Sequence, residues 1–179
     1  MGWTDTRLSG FSSLRGMPES TTDISEQLTE VFGTLGITAQ SYSHEAAFTV
    51  EDQTKYLAGL PGARTKNLFL RDKKHGLFLV TTMADREVNM KALGGLLGLS
   101  GSNLRFGDED LLMEKLGVIR GAVSPLALIN DTAGDVKFAI DKGILDVDIV
   151  NVHPLRNDRS TAFNPADLVK FCTHTGHAP

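Results

Sequence analysis

Apolar positions fall at helical spacing in some stretches of this chain and in alternating or unbroken runs in others. Ile24, Leu28, Val31, Phe32 and Leu35 share one helical face. Asp23 and Glu26 are spaced as a capping box ahead of them, and Gly36 stands at the stop. Residues 37–43 read as a short strand. Thr49 with Asp52 predicts a second helix over 50–60, ended by Pro61 and Gly62. Residues 67–71 and 77–83 are β-like and flank a turn over 72–76, which makes the clearest hairpin in the chain.

Further along, Asn89 caps a short helix that Gly98 ends, and Asp108 caps a helix over 109–116 that Gly117 ends. The apolar run 126–130 and residues 136–140 predict a second hairpin around Asp131 to Asp135. Residues 148–153 and 160–163 are the last strand candidates. Asn164 and Pro165 open a final helix with proline at its first position. Residues 1–22 are polar, rich in Gly and Ser and without period, and read as a loosely packed N-terminal arm. Residues 23–179 read as one domain of mixed α/β (α+β) class, whose hairpins imply much antiparallel sheet.

Composition narrows the function. The chain has 179 residues and a net charge of −4, which speaks against a broad phosphate-binding surface but leaves room for recognising one nucleic-acid end. No apolar run is long enough to span a bilayer, so no membrane partner is expected. The first residues lack a hydrophobic signal core, so a cytoplasmic location is expected. One cysteine, Cys172, excludes an internal disulfide framework and reads as a core or surface filler.

The common catalytic signatures are missing: there is no G-x-S-x-G, no P-loop and no H-E-x-x-H. Of the five histidines, only His174 and His177 pair up in sequence, in a loose terminal segment that makes a poor zinc site, so no metal and no cofactor are expected. His75 reads as solvated in its turn. His153, before Pro154 at a strand end, suits a site residue or a satisfied structural histidine equally. Lys66 stands at the mouth of the apolar strand N-L-F-L, as a solvated lysine or as a phosphate ligand. Arg71, Lys73 and Lys74 read as exposed charges or a weak second phosphate contact. The stretch G-A-V-S-P, from Gly121 to Pro125, is a stiff loop of low polarity, either a turn or a backbone-lined pocket wall.

The motifs T-K-N-L-F-L-R-D-K-K, L-F-L-V-T, N-L-R-F-G-D-E-D, G-A-V-S-P-L-A-L, D-V-K-F, N-V-H-P-L-R-N and the T-G-H-A-P tail occur in this order. Together they resemble the prolyl-tRNA synthetase editing-domain superfamily of YbaK-like fold, over roughly residues 24–179. The resemblance is greatest to its free-standing members, the prolyl-tRNA synthetase associated domain proteins of PrdX and ProXp-ala type. It implies a single domain with a curved, mostly antiparallel sheet wrapped by helices. It also implies an aminoacyl-tRNA hydrolase that cuts the ester of mischarged tRNA(Pro) in trans, alanyl-tRNA(Pro) above all.

Carried over by motif, Lys66 would hold the tRNA 3′ end and Asn67 would contact the substrate. Gly121, Ala122, Val123, Ser124 and Pro125 would form the catalytic loop. His153, with Val152 beside it, would edge the pocket, and Leu60 would be part of its apolar wall. His44, with Phe48 and Thr49, matches a further recurring stretch of second rank. The expected partners are the acceptor end of aminoacyl-tRNA(Pro), with prolyl-tRNA synthetase a second candidate, and no DNA.

This chemistry suits such residues. A synthetase pocket built for proline rejects alanine weakly, because a methylene or two is worth only about 1–3 kcal/mol. A second, smaller pocket lined by backbone excludes proline and admits alanine. Loop N–H groups could steady a developing oxyanion while water attacks the ester. The alternatives are a non-catalytic module that binds the tRNA acceptor end or a synthetase, and a deacylase specific for cysteine or another small amino acid.

Overall fold

The computed structural model describes residues 25–46 and 59–179. The N-terminal arm, Asp23, and the helix expected over 50–60 with its Thr49 cap lie outside the described residues, all but the last two positions of that helix. Helix α1 spans Glu26–Leu35. Its N-cap is Ser25, whose hydroxyl accepts from the Leu28 N–H, so serine fills the place the sequence suggested for Asp23. Strand β1 covers Gln40–Ser43, β2 covers Ala63–Asp72 and β3 covers Gly76–Met83. The β2–β3 hairpin is as expected, but β2 begins earlier, so Lys66 lies inside the strand and not before it.

Helix α2 (Met90–Leu96) is capped by Asn89, which accepts from Lys91 and Ala92 N–H. Strand β4 (Arg105–Phe106) follows, then helix α3 (Glu109–Leu116) with its Asp108 cap. Strand β5 (Val136–Ile140), helix α4 (Lys142–Leu145), β6 (Val150–Val152), β7 (Arg159–Phe163) and helix α5 (Pro165–His174) complete the order.

The second hairpin is not present. Residues Pro125–Asn130 form a buried 3₁₀ helix, capped by the Ser124 hydroxyl, which accepts from Leu126 N–H. Serine followed by proline starts a helical turn, and an apolar run without alternation does not by itself distinguish strand from buried helix. β5 instead pairs in parallel with β3.

The sheet has seven strands in the order β1-β7-β6-β2-β3-β5, with β4 pairing β2 off this path. The β1–β7, β6–β7, β2–β3 and β2–β4 pairs are antiparallel, whereas β2–β6 and β3–β5 are parallel. Strand alternation divides the side chains between two faces. On one, here the core face, Phe69, Leu79, Val136, Phe138, Val150, Val152 and Phe163 pack against α1, α3, the 3₁₀ helix and α5. Phe32 of α1 meets Phe163 and Phe171 edge to face, with ring centroids 5.9 and 5.8 Å apart. On the far face, Leu70, Phe78 and Val80 form a smaller cluster with Leu104, covered by Met90 and Leu93 of α2.

The C-terminal tail is not loose. His177 is buried, its Nε2 donates to Asp131 Oδ2 at 3.0 Å, and its own N–H donates to Cys172 O at 2.7 Å. No helix among the described residues is long and apolar enough to cross a membrane.

Candidate functional site

Register assembles a polar row on the far face. Thr82 faces Lys66, and Ser160 faces Tyr42. β6 and β7 pair as far as Val152 and Thr161, so the next step brings His153 alongside Ser160. β2 and β6 pair in parallel at Arg64 and Asn151, so Lys66 and His153 each stand two residues further on, on the same face. The row thus runs Thr82, Lys66, His153, Ser160, Tyr42. His44 joins it: its Nε2 lies 3.0 Å from Ser160 Oγ, and its ring centroid is 6.1 Å from that of His153.

Local structure fixes these side chains. The His153 Nδ1 donates to Arg159 O at 2.8 Å, which makes Nε2 the acceptor of the neutral ring. Burial, more than any other influence, pushes the His153 pKa down, and neighbouring His44 adds to that. The turn after Pro154 holds Leu155 at φ 66°, a left-handed conformation rare for a bulky residue. A paired contact braces that turn, with Arg156 Nε and Nη2 donating to Asp158 at 2.9 and 2.7 Å. The Asp158 carbonyl also accepts from His44 N–H at 2.9 Å, tying the two histidine segments together.

The other expected residues sit differently. Asn67 faces the core, where its Oδ1 accepts from the Thr81 hydroxyl at 2.7 Å. Val152 lies in the core cluster, as does Ala122, with Val123 packed against it. Ser124 is fully buried and its hydroxyl is committed to the helix cap, and Pro125 is buried behind it. Gly121 has φ 89°, which accounts for glycine at that position. Leu60 is half-buried in the turn before β2. That turn approaches β6 so closely that a Cβ on Gly62 would sit 2.6 Å from the Ile149 carbonyl oxygen.

Lys66 and His153 therefore share one face, while Asn67, Val152 and the Gly121–Pro125 loop belong to the other. Groups on opposite faces of a sheet come together where a strand edge is left unpaired. On the edge away from β3, β2 pairs with β6 at Ala63 and Arg64 and with β4 at Leu70 and Arg71. Among the described residues, no strand pairs with the edge between those points. An ester laid across that gap would have Lys66 on one side and Asn67 on the other.

Tyr42 and Asn151 were not legible in the sequence as site residues. The Tyr42 hydroxyl and Asn151 Oδ1 are buried with no hydrogen-bond partner among the described residues, an arrangement that costs stability unless something else satisfies them. Asn151 Nδ2 meanwhile donates to Pro61 O at 2.9 Å, which ties the Leu60 turn to β6. The one clue in sequence is that Tyr42 stands two residues before His44, which follows directly on the end of β1.

Charge gathers at the far end of the β2–β3 hairpin. A cleft of about 570 Å³ is lined by Arg71, Asp72, Lys73, Lys74, Asn103 and Arg105, among others. Asp72 organises it: the N–H groups of Asn103 and Lys74, chiefly, hold its carboxyl well below the usual range. His75 is not simply solvated, since its Nδ1 lies 2.8 Å from Asp72 Oδ1. Arg71 pairs with Asp108 at 3.2 Å. Among the described residues, no group of three or more His, Cys, Asp or Glu side chains could hold a metal ion.

The seven-stranded mixed sheet, with α1, α3 and α5 packed on its core face and a polar row on the other, is the frame on which this site is built. The sequence model of the aminoacyl-tRNA editing domain matches residues 44–171, and the chain belongs to that family, one of aminoacyl-tRNA deacylases. It is 39% identical over 160 residues to prolyl-tRNA synthetase associated domain-containing protein 1 of Mus musculus, covering 88% of this chain and 94% of that protein. It is 32% identical over 135 residues to the prolyl-tRNA editing protein ProX of Acetoanaerobium sticklandii, covering 75% of this chain and 81% of that one. The fold matches the crystal structure of a proposed trans-editing enzyme for prolyl tRNA synthetase, with a TM-score of 0.65 at 17% identity, over 84% of this chain and 90% of that one.

Proposed function

We propose that this protein hydrolyses the ester of tRNA(Pro) mischarged with a small amino acid, alanine in the first place, acting in trans in the cytoplasm. The observation that carries the reading is the polar row of Lys66, His153 and His44 beside the unpaired rim of β2. Lys66 would hold a phosphate of the tRNA 3′ end as a point charge. Neutral His153 would bond the substrate or shape the pocket, and Leu60 with Val152 would limit its size. Pro125 has no N–H and the Ala122 N–H already donates to Ile119 O at 3.0 Å, so the N–H groups of Gly121, Val123 and Ser124 would steady the oxyanion while water attacks. Ser124 and Cys172 are both fully buried, which supports water over either as nucleophile.

The basic cleft fits the same reading. Lys73 lies seven positions beyond Lys66 along β2 and its turn, roughly 20 Å at strand rise. Arg71, Lys73, Lys74 and Arg105 could then engage acceptor-stem phosphates while Lys66 holds the 3′ end.

The test is deacylation of alanyl-, cysteinyl- and prolyl-tRNA(Pro), with Lys66→Ala alongside. Loss of alanine alone, slowed about 10- to 100-fold in kcat/KM by removing one charge-assisted contact, is the expected result. Cysteine released faster than alanine would change the substrate. Binding of tRNA with no turnover would leave a non-catalytic module.

A further inference from the structure

We propose that Arg86 is a second cationic ligand of the RNA 3′-end phosphate assigned to Lys66, so that the two form one clamp; this rests on the tRNA reading above. The geometry begins with Lys66, whose Nζ donates to the carbonyl of Arg86. The Arg86 side chain is held independently, because its Nε donates to Asp141 Oδ2. That same oxygen accepts from the Thr82 hydroxyl at 2.9 Å, and Asp141 Oδ1 accepts from Gly143 N–H at 3.0 Å. Thr82 is the residue directly opposite Lys66 on β3. Followed through these contacts and the cross-strand spacing, the two cations lie within about 10 Å of each other.

Asp141 uses only the Nε edge of the guanidinium. The side chain is 57% exposed, which leaves its Nη groups for a ligand, with Nη2 close to Gly143. A Cβ on residue 143 would stand 3.3 Å from Nη2, so glycine there leaves room for the guanidinium. Backbone bonds hold the turn where it leaves β3: Ala84 N–H donates to Arg64 O at 2.9 Å and Arg86 N–H to Met83 O at 3.1 Å. A planar donor fork oriented by a carboxylate suits a phosphate better than a free lysine does, since less freedom is lost on binding. Arg64, two residues before Lys66 on the same face, adds positive charge. Asp85 and Glu87 flank Arg86 but are exposed, so solvent and salt screen them.

A purely structural Arg86–Asp141 pair would support the loop and nothing more. The two roles separate in salt dependence and in substrates without phosphate. The experiment measures kcat/KM for alanyl-tRNA(Pro) across a salt series, and binding of uncharged tRNA(Pro), for the parent protein, Arg86→Gln and Arg86→Lys. Gln retains a donor for Asp141 without the charge. The same proteins are assayed on 3′-O-alanyl-adenosine, which carries no phosphate.

Arg86→Gln is expected to lose about 10-fold in kcat/KM on tRNA, through KM, with a log–log salt slope shallower by about 0.7. Arg86→Lys should keep the slope. On the adenosine ester, Gln should match the parent. An unchanged slope, or equal losses on both substrates, would overturn the clamp while leaving the deacylase reading intact. A parent protein that neither cleaves nor binds tRNA would overturn both.

Discussion

Two buried histidines show how differently the two sides of this molecule treat polar groups. His177 and Asp131 each have side chains only 2% exposed, and they satisfy one another. Asp131 also accepts from the N–H groups of Asp135 and Val136, and Thr175 lies 3.1 Å from the other nitrogen of the His177 ring. Every polar atom has an answer, and the result is a lock between the C-terminal tail and the turn before β5. His153 is 4% exposed, but its Nδ1 meets a backbone carbonyl and its near neighbour is another histidine. Close by stand Tyr42 and Asn151 with unanswered buried atoms. A fold that only needed stability would not keep such a row; a site that waits for a ligand would.

The largest effect expected from breaking this contrast is a double dissociation. His153→Ala should reduce alanyl-tRNA(Pro) deacylation by one to two orders of magnitude, with a smaller loss of melting temperature than at the lock. His177→Ala should leave deacylation by the folded protein unchanged. It strands the Asp131 carboxylate without a charged-group hydrogen bond worth about 2 kcal/mol, or about 6 °C in a domain of this size. Thermal melts and single-turnover assays on both variants decide it. If His177→Ala lost activity as steeply as His153→Ala, the lock would be part of the site and the contrast would collapse.

A smaller effect separates the two histidine regions by pH. Burial lowers the His153 pKa, so the unfolded chain binds that proton more tightly than the folded one. The stability it permits is complete above the ordinary histidine value of about 6.5 and is lost as pH falls below it. Asp131 is also lowered: burial raises it, but the Val136 N–H, the His177 ring and the Asp135 N–H together outweigh that. Its contribution is present above the ordinary carboxylate range and is lost only as pH falls through and below about 4. Denaturant unfolding of His153→Gln should therefore show a smaller stability loss than the parent between pH 7.5 and 5.5. Equal losses would mean that His153 is not held neutral by burial.

The same contrast explains what could be read from the chain. Caps at Asn89 and Asp108, the Gly36 and Gly117 stops and the Asn164–Pro165 start depend on local chemistry, and the structure has each of them. The run after Ser124 misled because an apolar stretch without period suits a strand and a buried 3₁₀ turn alike. Parallel pairing of β2 with β6 joins segments far apart in sequence, so nothing local announces that Lys66 and His153 share a face. Nor could spacing show that Lys66 and Asn67, adjacent in one motif, point to opposite faces unless the strand began before them. Arg86 and Asp141, 55 positions apart, carry no joint signature at all.

The smallest effect belongs to Cys172, and it tests the contrast from the quiet side. The thiol lies on α5 with no exposure, among the residues of the core cluster. Burial pushes its pKa up to about 12, so almost none of it is thiolate at neutral pH. It acts there as a small apolar side chain. Cys172→Ala removes one sulfur and should cost about 1 kcal/mol of stability or less, with deacylation unchanged. The native parent should also withstand thiol alkylation for as long as it stays folded, since the reagent reaches the sulfur only through unfolding. Rapid inactivation of the folded protein by a small alkylating reagent, prevented by the alanine substitution, would put a nucleophile on the core face and refute attack by water.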